Sequence, residues 1–234
     1  MTEPDIFYIL GNKVRRDLLS HLTCTECYFS FLSSKVSVSS TAVAKHLKIM
    51  ERQGILKSHE KEGPFIGPAR KYYDIAISRT YVATVTPNVF WYHGLDLKDP
   101  NEGTFNIEVS LPETKDSDLT ELVTQFLRLN RELNKVLQAL GSVEHGRDVL
   151  MSRIKERYLR EIGDMTQLAI LHYLLIEGTA TVDELSDRLN LKEREVVAKA
   201  EELGRFIPLR IKDGVIEIDS ERLQSEGEGD GRED

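Results

Sequence analysis

Between Ser39 and Gly54 the chain carries a helical pattern with two unlike faces, and this stretch limits what its neighbours can be. Ser39 or Ser40 suits an N-cap and Gly54 a C-terminal stop, and between them lies a run of good helix formers. Val43, Leu47 and Met50 fall on one face at i, i+4, i+7, whereas Thr41, Lys45, Lys48 and Arg52 fall on the other. The first face must be buried; the second stays in water or meets an anion. Upstream, Phe29, Phe31 and Leu32 outline a short apolar helix that ends in the Ser-rich, β-branched turn at 36–38. Downstream, Gly54-Ile55-Leu56-Lys57 and Arg70-Lys71-Tyr72-Tyr73-Asp74-Ile75 read as two strands joined by a loop containing Gly63-Pro64. The order is helix, turn, basic helix, hairpin, which is that of a winged helix-turn-helix. A basic face alone is more often just solvated. With a wing behind it, this face suits a recognition helix, whose cationic and hydroxyl side chains reach phosphates and base edges. The candidate DNA-binding residues are Ser40, Thr41, Lys45, Lys48, Arg52, Arg70 and Lys71. Thr41 and Lys45, near the helix start, suit base edges, and Lys48, Arg52 and Arg70 suit phosphates.

Charge distribution agrees with a DNA-reading head. The 234-residue chain has a net charge of -8, but residues 1–79 carry 12 Lys and Arg against 8 Asp and Glu, and the remainder 19 against 31. The basic surplus is segregated at the N-terminal end, and the acidic body is kept away from phosphate. At 40% hydrophobic and 30% charged residues the chain can build one or two ordinary cores without covalent staples. Apolar runs such as 170–176 are far short of a membrane span, and Met1-Thr2-Glu3-Pro4-Asp5 lacks the basic-then-apolar signature of a signal peptide. A cytoplasmic location is expected, with no membrane partner.

In that compartment two cysteines spaced as Cys24-Thr25-Glu26-Cys27 are redox-active or metal-binding rather than a structural staple. His21, one turn away, would bring a zinc site to three ligands, leaving His46 or an acid to complete it, so a dithiol is the simpler reading. Neither a metal nor another cofactor is expected. The enzyme alternative, a thiol-disulfide oxidoreductase, wants its CxxC after a strand and within a strand-helix-strand pattern; helical patterns flank this one. No Gly-rich phosphate loop, catalytic triad or metalloprotease motif is present, so the chain reads as a non-enzyme. An interaction scaffold would leave the basic helix face unexplained.

The rest of the chain is taken in order. Ile6 to Leu10, then Val14, Leu18, Leu19 and Leu22, predict two helices before the cysteines. Residues 81–86 alternate as a strand, Phe90-Trp91-Tyr92 reads as core joining domains, and 96–103 as a linker. Leu119, Leu122, Phe126, Leu129, Leu133, Val136 and Leu140 recur three and four apart over three heptads, the a/d seam of a coiled coil, here assigned to a homodimer. The competing arrangement packs that helix on a following pattern of Leu150, Ile154 and Tyr158. Leu168, Leu171 and Leu175 then mark a helix, Thr181-x-x-Glu184 and Asn190-x-x-Glu193 open two more, and Asp213-Gly214 sits between two strands as a hairpin turn. The acid-rich helix from Lys192 to Leu203 suits packing or a partner rather than DNA. The chain is thus mainly α with small β-wings: two winged helix-turn-helix domains joined by a long helical dimerisation segment. The expected boundaries are 1–79 for the DNA-binding domain, 80–112 for a strand and linker, 113–163 for the dimerisation segment, 164–220 for the second winged-helix-like domain, and 221–234 for a disordered acidic tail.

Helix, turn, basic helix and wing, with Leu10-Gly11-Asn12-Lys13-Val14-Arg15-Arg16 before them, resemble the ArsR-type winged-helix regulators over roughly the first third of the chain. Metal-sensing members carry Cys-x-Cys in the helix before the recognition helix. The CxxC spacing and the long C-terminal extension are instead similar to the archaeal sulfur-responsive members, with metal sensing as the alternative. That resemblance implies a transcription regulator of hydrogen and sulfur metabolism genes, binding a pseudo-palindromic operator as a homodimer. It also implies a Cys24–Cys27 disulfide, formed by a sulfur species or a disulfide oxidoreductase, that weakens DNA binding. In a regular helix the two Cβ atoms would lie about 5 to 6 Å apart and a disulfide requires roughly 3.5 to 4.5 Å, so closure inside a helix would distort the turn, whereas with Cys24 just outside the helix closure need not strain anything. Packing of Phe29 and Leu32 would pass that distortion to the recognition helix.

Overall fold

A computed structural model describes residues 4–24, 27–61, 69–97 and 118–223, without the side chains of Cys24 and Cys27. Helix predominates among them, with small antiparallel sheets, and the chain divides into two compact units, Met1–Ile77 with Lys155–Asp234, and Ser78–Ile154. No helix among the described residues is long and apolar enough to cross a membrane. The loop at Gly63-Pro64, the linker from residue 98 onward and residues 224–234 of the expected tail lie outside the described residues, whereas 221–223, expected to open that tail, continue a helical turn begun at Ser220.

The first unit opens with α1 (Ile6–Leu10), capped by the Asp5 carboxylate on the Tyr8 amide, and α2 (Lys13–Cys24), where Asn12 accepts from the Arg15 amide at 3.2 Å. A two-residue strand β1 (Cys27–Tyr28) leads into α3 (Phe29–Lys35), then α4 (Ser40–Arg52), β2 (Leu56–Lys61) and β3 (Arg70–Ile75). Ser39 is the N-cap of α4, accepting from the Ala42 amide, and Gly54 takes φ 71° beyond its C-terminus, where a side chain would be strained. The packed face of α4 is as expected: Val43, Leu47 and Met50 are fully buried and share a core with Ile9, Leu18, Leu32, Ile55, Leu56 and Tyr73.

The same topology then occurs a second time. The first set runs α2, β1, α3, α4, β2, β3 with sheet order β1-β3-β2; the second runs α6 (Met165–Glu177), β6 (Thr179–Thr181), α7 (Val182–Leu189), α8 (Glu193–Leu203), β7 (Leu209–Lys212), β8 (Val215–Ile218) with order β6-β8-β7. Leu168, Ile170, Leu171, Leu174, Leu185, Val196, Leu203 and Ile216 form its core. Thr181 and Glu184 make the reciprocal capping box, and Asp213-Gly214, both at positive φ, close the β7–β8 hairpin. Asn190 needs a correction. It does not open α8; it ends α7 in the left-handed conformation at φ 51°, and α8 is instead capped by Lys192 with Glu195 at its N3 position.

The two sets meet at the carboxyl ends of helices, whose last carbonyls have no partner of their own. Lys35, ending α3, donates to the Leu189 carbonyl at the end of α7 (2.6 Å), and Lys155 donates to the Thr23 carbonyl at the end of α2. Arg188 to Ser20 (3.3 Å) and Asn190 to the Ser34 carbonyl (3.5 Å) lie along the same joint. A cation at a helix carboxyl end also opposes the macrodipole favourably.

The second unit holds the hairpin of β4 (Arg79–Val85) and β5 (Phe90–Asp96) and most of α5 (Leu119–Glu161), whose last turns belong to the first unit. Phe90-Trp91-Tyr92 is strand rather than joining core, with Phe90 72% and Tyr92 60% exposed. Helix α5 has 43 residues, so it is roughly 65 Å long. Its continuity rules out the arrangement in which Leu119–Leu140 folds back on Leu150, Ile154 and Tyr158, because both patterns lie on one rod.

Candidate nucleic-acid interface

Helix α4 presents Thr41, Lys45, Lys48 and Arg52 to solvent opposite its buried face, and Ser40 is exposed at its first position. This division follows from the period of the sequence alone. Lys45, Lys48 and Arg52 make no ion pair among the described residues, whereas the single acid of the helix, Glu51, is taken up by Lys71 of β3 at 3.3 Å. The exposed face is therefore a line of positive charge uncompensated among the described residues, with hydroxyls at its amino end. His46 lies between the two faces, and burial, then the charges of Arg15 and Lys45, lower its pKa, so the ring is neutral near pH 7. Arg15 is itself buried, donating to the Ile9 carbonyl at 3.0 Å and to the Tyr8 carbonyl, with its guanidinium 4.5 Å from the Tyr8 ring. It holds α1 against α2, the floor on which α4 rests.

The hairpin next to α4 adds cations that are already engaged. Burial opposes the Lys71 charge, but the hydrogen bonds and charges of Glu51 and Tyr73 together outweigh it and raise the ammonium pKa; the same ammonium lies 5.0 Å from the Tyr73 ring. Arg70 stands over Tyr28 at 4.8 Å and Lys61 over Tyr72 at 5.8 Å. Of the seven candidate DNA residues, four thus share the open face of α4, Ser40 opens the same helix, and two lie on β3. Tyr28, Tyr72 and His59, which hold the hairpin's outer face together, escaped the sequence reading. The alternation Arg70, Tyr72, Asp74 was a signal for them, but the partner strand could not be known.

The thiol pair straddles a junction. Cys24 is the last residue of α2 and Cys27 the first of β1, where it pairs with Tyr73. The pair is not within one helix: Cys24 stands at the carboxyl end of α2, where the macrodipole disfavours a thiolate, and Cys27 stands two residues before α3. The thiols themselves lie outside the described residues. Among the described residues no three His, Cys, Asp or Glu side chains gather as a metal-binding group. His21 faces the joint with the second helical set, its pKa lowered by burial and by the charge of Lys35.

The corresponding helix of the second set has the opposite character. Val196, Ala200 and Leu203 of α8 are buried, Glu193, Glu195 and Glu201 are exposed, and Lys199 is held by Asp164 and Glu202, both at 2.8 Å. Topology is repeated here without the positive face. On α5, the seam residues Leu119, Leu122, Phe126, Leu133 and Val136 are all exposed, Leu119 at 77% and Phe126 at 53%, while Leu129 and Leu140 are half-buried. Leu129, Leu133 and Val136 line a shallow apolar depression together with Asn130 and Glu132.

A family model described as PF0095-like, C-terminal domain, matches residues 181–221, which span α7, α8, β7 and β8. No curated protein matches the chain.

Proposed function

We propose that the protein is a sequence-specific, DNA-binding transcription regulator of the ArsR-type winged-helix kind, working as a homodimer and released from DNA when Cys24 and Cys27 are oxidised to a disulfide. The observation that carries this reading is α4: three fully buried apolar residues on one face, and on the other Thr41, Lys45, Lys48 and Arg52, without ion pairs among the described residues. In this reading α4 is the recognition helix, β2 and β3 form the wing, and Thr41 and Lys45 meet base edges while Lys48, Arg52 and Arg70 meet phosphate. The uncovered apolar seam of α5 favours a two-fold dimer, which suits a pseudo-palindromic operator. The repeated α6–β8 topology, without a basic helix face, suits a second winged helix that packs or binds a partner. The resemblance over the first third of the chain contributes sulfur as the signal, a sulfur species or a dithiol protein as oxidant, and hydrogen and sulfur metabolism genes as targets.

The test is the affinity of reduced and oxidised protein for a labelled duplex selected from random sequence by the reduced protein, beside Cys24→Ser. A loss of about 1.4 kcal/mol on oxidation is a tenfold drop in affinity. Equal affinity in both states, or a serine variant that still responds to oxidant, would sink the redox switch; failure to select any site would sink the DNA reading.

A further inference from the structure

The β1-β3-β2 sheet has two unlike faces, and the core uses only one of them. Tyr73 of β3 is buried with Val43 and Leu47 of α4, so strand alternation turns Arg70, Tyr72 and Asp74 to the outer face. The register sets Tyr28 of β1 and His59 of β2 on either side of Tyr72, Lys61 opposite Arg70, and Lys57 opposite Asp74. A rung of three rings thus crosses the sheet, with cations on both sides of it. Tyr28 meets Tyr72 edge-on at 5.7 Å between centroids, and His59 lies nearly parallel to Tyr72 at 5.8 Å, with 14° between planes. His59, Lys57, Lys61 and Arg70 are exposed, whereas Tyr28 and Tyr72 are half-buried. Asp74, the single acid at these outward positions, is engaged by His59 at 3.0 Å. Cross-strand rings stabilise a sheet by themselves, but like charges directly opposite one another, as Lys61 and Arg70 are, work against it. Sheet stability accounts for the rings and not for the cations; an anion between the two strands accounts for both.

We propose that this outer face binds an unpaired DNA strand, with bases stacked on the rung of Tyr28, Tyr72 and His59 and phosphate held between Lys61 and Arg70. Every base has a π-face, so rings beneath the bases and cations along the backbone hold a single strand without reading its sequence. The Lys61 ammonium lies 5.8 Å from the Tyr72 ring centre, near the outer limit of cation–π contact, so a base can replace it there while its charge passes to the phosphate. The Arg70 guanidinium, 4.8 Å from the Tyr28 ring centre, is planar and adds a stacking surface of its own. A duplex cannot use the rung, because its bases are already stacked on one another. The site is therefore distinct from the open face of α4, and Arg70, assigned above to duplex phosphate, is the residue the two share. From the proposed function the inference takes only that the partner is DNA; it needs neither the thiols nor the recognition helix.

The experiment uses the full chain under dithiothreitol and measures the anisotropy of a labelled oligothymidine and of the labelled selected duplex at several salt concentrations. Y72F keeps the ring and should bind oligothymidine as wild type. Y72T, which still favours a strand, should bind it about tenfold more weakly, about 1.4 kcal/mol, the loss of one stacked base, with a much smaller change on the duplex. H59T removes the exposed end of the rung, should also weaken oligothymidine several-fold, and serves as the ring-less variant should Y72T not fold. K61A should flatten the salt slope on oligothymidine by about 0.7, one phosphate of a single strand. The triple variant K45A/K48A/R52A should lose the duplex and keep oligothymidine. A wild type that does not bind oligothymidine at low salt overturns the proposal, and so does full oligothymidine affinity in both ring-less variants. Loss of oligothymidine together with the duplex in the triple variant places the strand on α4 and overturns it as well, and tighter binding of oligouridine than of oligothymidine refutes DNA as the occupant. Ring-dependent oligothymidine binding by a protein that selects no duplex sinks the proposed function and leaves this site standing.

Discussion

His172 lies on α6 beside Lys155, and burial, followed by the charge of that lysine, lowers its pKa from 6.5 to about 4. The ring is therefore neutral in the folded protein where an unfolded chain would protonate it. Between these two values the unfolded state binds more protons, so stability is fully present above pH 6.5 and is lost as the pH falls toward 4. At about 1.4 kcal/mol per pKa unit the whole shift would be worth about 3.4 kcal/mol; the ring is only partly enclosed, and solvent screening reduces this to about 1 to 2 kcal/mol. Protonation would set a second cation beside Lys155, whose ammonium caps the Thr23 carbonyl, so the penalty falls on the joint between α5, α6 and the end of α2. The perturbation is His172→Gln, which keeps a polar side chain of similar reach without the titration. Urea unfolding at pH 7 and at about pH 4.5 should show wild type losing about 1 to 2 kcal/mol more than the variant. Carboxylates such as Glu202, held below its ordinary range first by the Lys199 hydrogen bond, also lose stability in acid, but equally in both proteins. An identical acid loss in wild type and variant would refute the reasoning.

Lys48→Ala should weaken DNA binding across all sequences and flatten the salt dependence by about one unit, read by fluorescence anisotropy at several salt concentrations. Unchanged affinity after replacing Lys45, Lys48 and Arg52 together would remove α4 from the interface. Glutamates at Leu129 and Leu133 would be buried in the α5 seam at a cost of several kcal/mol, and sedimentation should then find monomers; a folded, dimeric double variant places the interface elsewhere. Lys35→Met strips the donor from the Leu189 carbonyl and should lower thermal stability by about 1 to 2 kcal/mol, with an unchanged melting temperature indicating that water substitutes for it.

Local order was legible in the sequence wherever a signal and its consequence lie within one or two turns. The α4 faces, the Ser39 cap, the Thr181–Glu184 capping box, the Asp213-Gly214 turn and the length of the α5 pattern all depend on side-chain spacing or on the few residues that tolerate a given φ. Asn190 shows the limit of such signals. Asn is both a good N-cap and a good left-handed C-cap, and only the path of α7 into α8 decided between them. The cysteine spacing likewise could not reveal that α2 ends between the two residues, because β1 exists only where β3 offers an edge at Tyr72 and Tyr73. The Tyr28–Arg70 contact, the Lys35 and Lys155 caps and the Glu51–Lys71 pair join residues far apart in the chain. No periodicity encodes them; they arise when packed cores bring helix ends and strand edges together, and only the tertiary structure could decide which cations were spent on internal partners and which stayed on the open face of α4.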